Sequence, residues 1–253
     1  MIEPAIPKRD RFWVYAAIAV LAVLAWTYTV YLGLRNTLAP MFMGWSVTDF
    51  FFMFVMWAVM MFAMMLPSIT PAVMVFGRVQ EKRSVSGRPN VPIFAFVAGY
   101  LIVWAGFSLI ATFANWGLHA SGTMTGMMGR VGPLVGGTML MAAGVFQWTN
   151  AKSTCLEHCR SPVGFLTQNW REGTAGAVLM GLTHGIYCLG CCWLLMLLLF
   201  VFGVMNLTWI AVLALVVLAE KTLPFGRQIS RILGAVFLIW GLALVIGWVP
   251  VGV

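Results

Sequence analysis

Apolar residues run through this chain in long stretches separated by short polar gaps. Seven stretches stand out, at about 12–34, 49–77, 92–117, 131–149, 174–203, 206–223 and 229–250. About 20 consecutive apolar residues suffice for a helix to cross the hydrocarbon core of a bilayer, and a helix keeps its backbone polar groups paired there. The pattern therefore predicts an all-α fold, a polytopic transmembrane helical bundle of about seven spans, forming a single integral-membrane domain over residues 1–253. The stretch at 206–223 is the weakest, because its clearly apolar part ends at Ala219. The first stretch is too long for the core of a secretion signal and no small-residue cleavage motif follows it, so it is read as a span.

The polar gaps set the expected orientation. Alternate gaps hold Lys8, Arg9 and Arg11; Arg78, Lys82, Arg83 and Arg88; Lys152, Arg160 and Arg171; and Lys221, Arg227 and Arg231. The remaining gaps hold only Arg35 and Arg130. Cytoplasmic loops carry the excess of Lys and Arg, so the N-terminus is expected in the cytoplasm and the C-terminus outside. Within the stretches, Ser46-Val-Thr-Asp49 has the form of a capping box. Pro67 and Pro71 are expected to kink the second span or end it early. Gly106, Gly181, Gly185 and Gly190 would let a neighbouring helix come close.

Composition narrows the function classes. Hydrophobic residues make up 62% of the chain and charged residues only 9%, which excludes an ordinary soluble domain. The net charge of +8 does not point to nucleic acid, because the basic residues sit in gaps rather than in a stripe with interleaved aromatics. They suit contact with the lipid bilayer and its anionic head groups. No phosphate-binding loop, nucleotide fingerprint or serine-nucleophile motif is present, and the short loops leave no room for the ATPase domains of a pump. No catalytic residue is assigned, and the chain reads as a binding protein rather than an enzyme.

The chemistry lies in sulfur and imidazole. His184, Cys188, Cys191 and Cys192 fall inside the fifth stretch. On a helix His184, Cys188 and Cys191 lie within about 60° of one another, with Cys192 about 40° beyond Cys188. Cysteine alone packs as a small hydrophobe, and a lone buried histidine is commonly satisfied by a neighbour. Four such residues within nine positions favour a ligand or redox role instead. A second cluster, Cys155, His158 and Cys159, has the i, i+3, i+4 spacing of one helical face and lies on the expected cytoplasmic side, where thiols stay reduced. All five cysteines belong to these two clusters. The gap at 150–173 is long enough to fold back into the bundle, which leaves one shared site or two as alternatives.

Methionine adds a third signal, with 18 in the chain. Met53, Met56, Met60 and Met64 follow one helical face of the second stretch, and Met41, Met43, His119, Met124, Met127 and Met128 lie in the expected outer gaps. Thioether is a soft ligand that suits Cu(I) and serves zinc poorly. Packing explains a methionine stripe equally well on the second span. His119 with Met124, Met127 and Met128 is the better candidate for metal capture, with Met56, Met60 and Met64 as a path inward.

The segments that carry these residues resemble a bacterial family of uncharacterised, predicted metal-binding integral membrane proteins. The likeness rests on Trp57 to Pro67 with its paired methionines, on Gln147-Trp148-Thr149 followed by Lys152, Cys155, His158, Cys159 and Arg160-Ser-Pro162, on His184 to Trp193, on Met205-Asn206, and on Glu220-Lys221 with Pro224. It implies a metal role in a bacterial inner (cytoplasmic) membrane. The leading expectation is a protein that binds a soft transition metal, copper as Cu(I) ahead of zinc, and either transports it or delivers it to a membrane metalloenzyme or receives it from a metallochaperone. One alternative is a thiol–disulfide oxidoreductase using Cys188 and Cys191. Another is a non-catalytic scaffold, in an oligomer or a larger membrane complex.

Overall fold

The computed structural model describes residues 8–35, 46–85, 91–125 and 129–248. Each apolar stretch becomes a helix. In chain order these are α1 (Lys8–Arg35), α2 (Val47–Val85), α3 (Ile93–Ala120), α4 (Pro133–Phe146), α7 (Gly173–Leu197) continued by the short α8 (Leu199–Phe202), α9 (Leu207–Thr222) and α10 (Gly226–Val245). Between α4 and α7 the polar gap folds into α5 (Asn150–Arg160) and α6 (Pro162–Gln168). A two-residue hairpin pairs β1 (Met124–Thr125) with β2 (Arg130–Val131). The all-α expectation therefore holds. Among the described residues, four helical segments are long and apolar enough to cross a membrane, at Val47–Arg83, Ile93–Ala120, Gly173–Phe202 and Gly226–Val245. The segments Ala19–Tyr31 and Pro133–Phe146 are apolar but shorter, and α9, at 16 residues, is about 24 Å long.

The start of α2 follows the expected capping box. The Asp49 carboxylate accepts from the Ser46 backbone N–H at 2.9 Å, and the Asp49 N–H donates back to the Ser46 hydroxyl at 3.2 Å. The expectation that Pro67 or Pro71 ends the helix is overturned, because α2 runs unbroken to Val85. A proline removes one backbone donor and crowds the preceding turn. Around these prolines, hydroxyls supply extra donors: Ser68 and Tyr100 donate to the Met65 carbonyl at 2.9 and 3.2 Å. These bonds tie the proline-bearing turn to its own side chain and to α3.

Two helix pairs form the frame. Helix α3 crosses α7 with backbones almost touching, since a Cβ at Gly181 would lie 2.0 Å from the Phe96 carbonyl oxygen and one at Gly99 would lie 2.1 Å from that of Val178. Helix α4 meets α10 in the same way through Gly144 and Gly234. Gly106, expected to join such a contact, faces open space. Helix α2 packs against α1, α3 and α9, and α5 lies across α7. The core between them is sulfur-rich: Met53, Met56, Met60, Met61, Met64 and Met65 are all buried. The outer surface is apolar, with Ile102, Ile110, Ile186, Leu215, Ile232 and Ile239 exposed.

Candidate metal centre

The two cysteine clusters meet. Helix α7 buries His184, Cys188, Cys191 and Cys192 on one face, as the 100° spacing requires. Helix α5, capped by the Thr149 hydroxyl that accepts from the Lys152 N–H at 3.3 Å, turns its own cysteines toward that face. The Cys159 thiol lies near those of Cys188 and Cys191. Cys155 fits against Gly190, where a Cβ would come within 2.8 Å of the Cys155 sulfur. Gly190 thus makes room for the second cluster, a specific use of the close approach its sequence context suggested. The gap at 150–173 folds back, and the two clusters form one centre.

Within the centre each sulfur has a polar neighbour. The Cys188 sulfur lies 2.8 Å from the Lys221 ammonium and 3.0 Å from the Tyr100 hydroxyl. The Cys191 and Cys192 thiols each donate to the Cys188 carbonyl at 3.0 Å, one turn back along α7. On α5, the neighbouring Cys188 and Cys191, together with burial, hold the Cys159 thiol well above the usual thiol range. Burial and the nearby Cys191 push the Cys155 thiol up as well. All five cysteines are free thiols.

His184 sits one turn before Cys188, between the rings of Phe96, Tyr100 and Phe165. Its Nδ1 is buried and has no hydrogen-bond partner among the described residues. A buried polar atom left unpaired marks a place where an ion or water belongs. His158 takes no part in the centre: its ring stacks on Tyr187 at 4.2 Å and its Nδ1 lies 2.8 Å from the Thr154 carbonyl. Among the described residues, no group of three or more His, Cys, Asp or Glu side chains is placed so that it could hold a metal ion. The Cys191 and Cys192 sulfurs are each turned toward the Cys188 carbonyl.

The family model of the PpoB2 copper chaperones matches residues 54–244, a span that includes every cysteine and every histidine. The chain belongs to the PpoB2 copper chaperone family. No curated protein and no solved structure matches it. For a copper chaperone the metal is cargo, and Cu(I) is a soft ion that thiolate and thioether ligands select and that accepts low coordination numbers.

Sequence reasoning missed two members of the centre, Tyr100 and Lys221. Tyr100 gave no signal beyond being polar within an apolar stretch. Lys221 and its neighbour Glu220 do not pair with each other. The Glu220 carboxylate binds the Lys152 ammonium at 2.8 and 3.0 Å and accepts from the Ser230 hydroxyl at 2.8 Å, all in the interior. Lys221 is left to face the thiols and, at 3.4 Å, the Ser68 hydroxyl. Arg160 donates to the carbonyls of Leu223 and Pro224 at 2.6 and 3.0 Å, which ties the end of α5 to the α9–α10 turn.

Of the capture residues, His119 lies near the end of α3 with its Nδ1 3.0 Å from the Asn115 carbonyl. The Asn115 amide donates to the Met53 sulfur at 3.7 Å. Met124 is buried in the hairpin. Met41, Met43, Met127 and Met128 lie outside the described residues. Met56, Met60 and Met64 line α2 as expected, and the stripe ends at Met65, whose carbonyl touches Tyr100.

Proposed function

We propose that this protein is a membrane-embedded copper chaperone, spanning a bacterial inner membrane with its N-terminus in the cytoplasm, that holds Cu(I) at the α5–α7 thiol centre and delivers it to a membrane metalloenzyme. Cys188 and Cys191 are the principal ligands, with Cys159 able to replace either and His184 available one turn away. Cys155 and Cys192 form the second rank of sulfur around them. The observation that carries this reading is the convergence of Cys159 on Cys188 and Cys191 beside a buried ammonium.

The charge balance supports it. Two thiolates around Cu(I) leave one negative charge, which is costly in a low-dielectric interior unless it is paired. Lys221, held against Cys188, supplies the compensating positive charge. The set of one ammonium and several weakly separated sulfurs also permits exchange of the ion from one thiolate pair to another, which release to a client requires. The methionine stripe of α2 supplies weaker, neutral thioethers leading to the centre, with His119 and the hairpin at its far end. The membrane setting is supported by four apolar helices of membrane-crossing length among the described residues and by the segregation of basic residues between alternate gaps.

Anaerobic loading of the purified protein with Cu(I), followed by competition with a chromophoric Cu(I) chelator, tests the reading. The native chain is expected to retain copper that Cys188→Ser and Cys191→Ser lose, with His184→Ala weakened. Full retention in a Cys188→Ser/Cys191→Ser variant would remove the centre from consideration. A reversible Cys188–Cys191 disulfide in metal-free protein, without copper retention, would turn the assignment to thiol exchange.

A further inference from the structure

A groove between the end of α5 and the start of α10 takes no part in the thiol centre. It encloses about 540 Å3 and is lined by Glu157, Arg160, Ser161, Arg227, Gln228 and Arg231, among others. Three arginines and one carboxylate line it, and of these Arg160 is already bonded to the Leu223 and Pro224 carbonyls. Glu157 is paired with Arg227, and among the described residues Arg231 has no carboxylate partner. The first turn of α10 begins here with Phe225 at its N-cap, which offers no side-chain acceptor, so the positive end of the helix dipole adds to the same field.

A smaller cavity adjoins the groove, shares Arg227 and Arg231 with it, and is lined also by Gln147. Gln147 is only 5% exposed, yet neither its amide nitrogen nor its amide oxygen has a partner among the described residues. A buried amide with both ends unpaired points to an absent polar ligand. The outward face of α10 continues from Arg231 as an apolar stripe of Ile232, Val236 and Ile239, all exposed. A cationic groove at one end of an apolar stripe has the polarity of a phospholipid.

We propose that this groove binds the phosphate head group of an anionic phospholipid, with an acyl chain lying along Ile232, Val236 and Ile239. The inference rests on the membrane-embedded reading but not on copper. Guanidinium groups bind phosphate oxygens in forked, charge-assisted pairs. The bound head group would link the end of α5 to α10, and so hold in place the helix that brings Cys155 and Cys159 to α7. The lipid thereby supports the inner wall of the thiol centre.

The test uses the full chain, copper-free, in a neutral detergent, titrated with phosphatidylglycerol or phosphatidylcholine of matched chains and read by native mass spectrometry. Phosphatidylglycerol is expected to bind in preference, and Arg231→Gln, alone or with Arg227→Gln, to weaken it by roughly tenfold to thirtyfold. Gln147→Leu is expected to weaken it as well, whereas Arg78→Gln, an exposed charge on α2, leaves it unchanged. Equal binding of the two lipids, or an equal loss with Arg78→Gln, overturns the proposal. Displacement of the lipid by inorganic phosphate, at concentrations where phosphate binds alone, would assign the groove to the free anion and overturn the lipid. Should the double variant fail to fold, the exposed Arg231 position decides by itself. Cys188→Ser protein is expected to bind phosphatidylglycerol as the native chain does, so loss of copper binding and loss of lipid binding fail separately.

Discussion

The Lys221 ammonium lies 2.8 Å from the Cys188 sulfur although the two residues are 33 positions apart and both are buried. A buried ammonium is retained only when opposite charge or strong acceptors surround it. Here the surroundings are the thiols, Ser68 and Tyr100, because the adjacent Glu220 is committed to Lys152. The consequence is a positive charge held directly against the Cys188 sulfur.

Replacing that charge tests its role directly. Lys221→Met keeps the length of the side chain and removes the ammonium. It is expected to lower Cu(I) affinity by at least about tenfold, the equivalent of about 1.4 kcal/mol, while leaving the helix content by circular dichroism unchanged. Lys221→Arg is expected to restore part of the affinity. Equal chelator competition by all three proteins would show that the ammonium is not part of the cargo site.

The Lys152–Glu220 pair makes a separate prediction about stability. Both side chains are almost wholly removed from solvent, so deleting one leaves an uncompensated buried charge, with a cost of about 3–5 kcal/mol. Glu220→Leu is expected to lower the thermal transition of the detergent-solubilised protein sharply. The double change Lys152→Met/Glu220→Leu is expected to recover much of the loss, since two apolar groups replace a complete pair. A double variant as unstable as the single one would mean that Ser230 and the α9–α10 turn need the carboxylate itself.

Much of this was legible in the chain, for identifiable reasons. The long apolar stretches give the helices because hydropathy over some twenty residues is a strong signal. The face shared by His184, Cys188 and Cys191 follows from helical periodicity alone. The Ser46–Asp49 cap is likewise a local motif with a local result. What sequence could not supply was pairing between distant elements. Nothing in Glu220-Lys221 says that the two neighbours turn to different partners, Lys152 on α5 and Cys188 on α7. Nor does anything in His158 say that it stacks on Tyr187 while Cys159, one position later, reaches the centre. Pro67 and Pro71 do not end α2, whose proline-bearing turn is packed against Tyr100 of another helix, a contact no local motif announces.

The α3–α7 crossing predicts a defect that reaches the centre from outside it. A Cβ at Gly181 would overlap the Phe96 carbonyl, and backbone atoms cannot give way as a flexible side chain can. Gly181→Val is expected to force the helices apart and to separate Tyr100 from Cys188. It should lower both thermal stability and copper retention, whereas Gly106→Ala, facing open space, should alter neither. Normal copper retention in a folded Gly181→Val protein would mean that Tyr100 is dispensable at the centre.

The methionine stripe of α2 calls for a measurement of rate rather than of affinity. Leucine matches methionine closely in volume, so Met60→Leu/Met64→Leu is expected to cost less than about 1.5 kcal/mol of stability at each position. If these thioethers only fill space, loading will be as fast as in the native chain. If they relay Cu(I) toward Tyr100 and Cys188, the final copper content is expected to stay the same while loading slows severalfold in stopped-flow experiments with a chelated Cu(I) donor. The thiol ligands set the equilibrium and remain intact, so only the approach to it should change. Unaltered loading kinetics in the folded double variant would assign the stripe to packing and leave the approach of copper to α5.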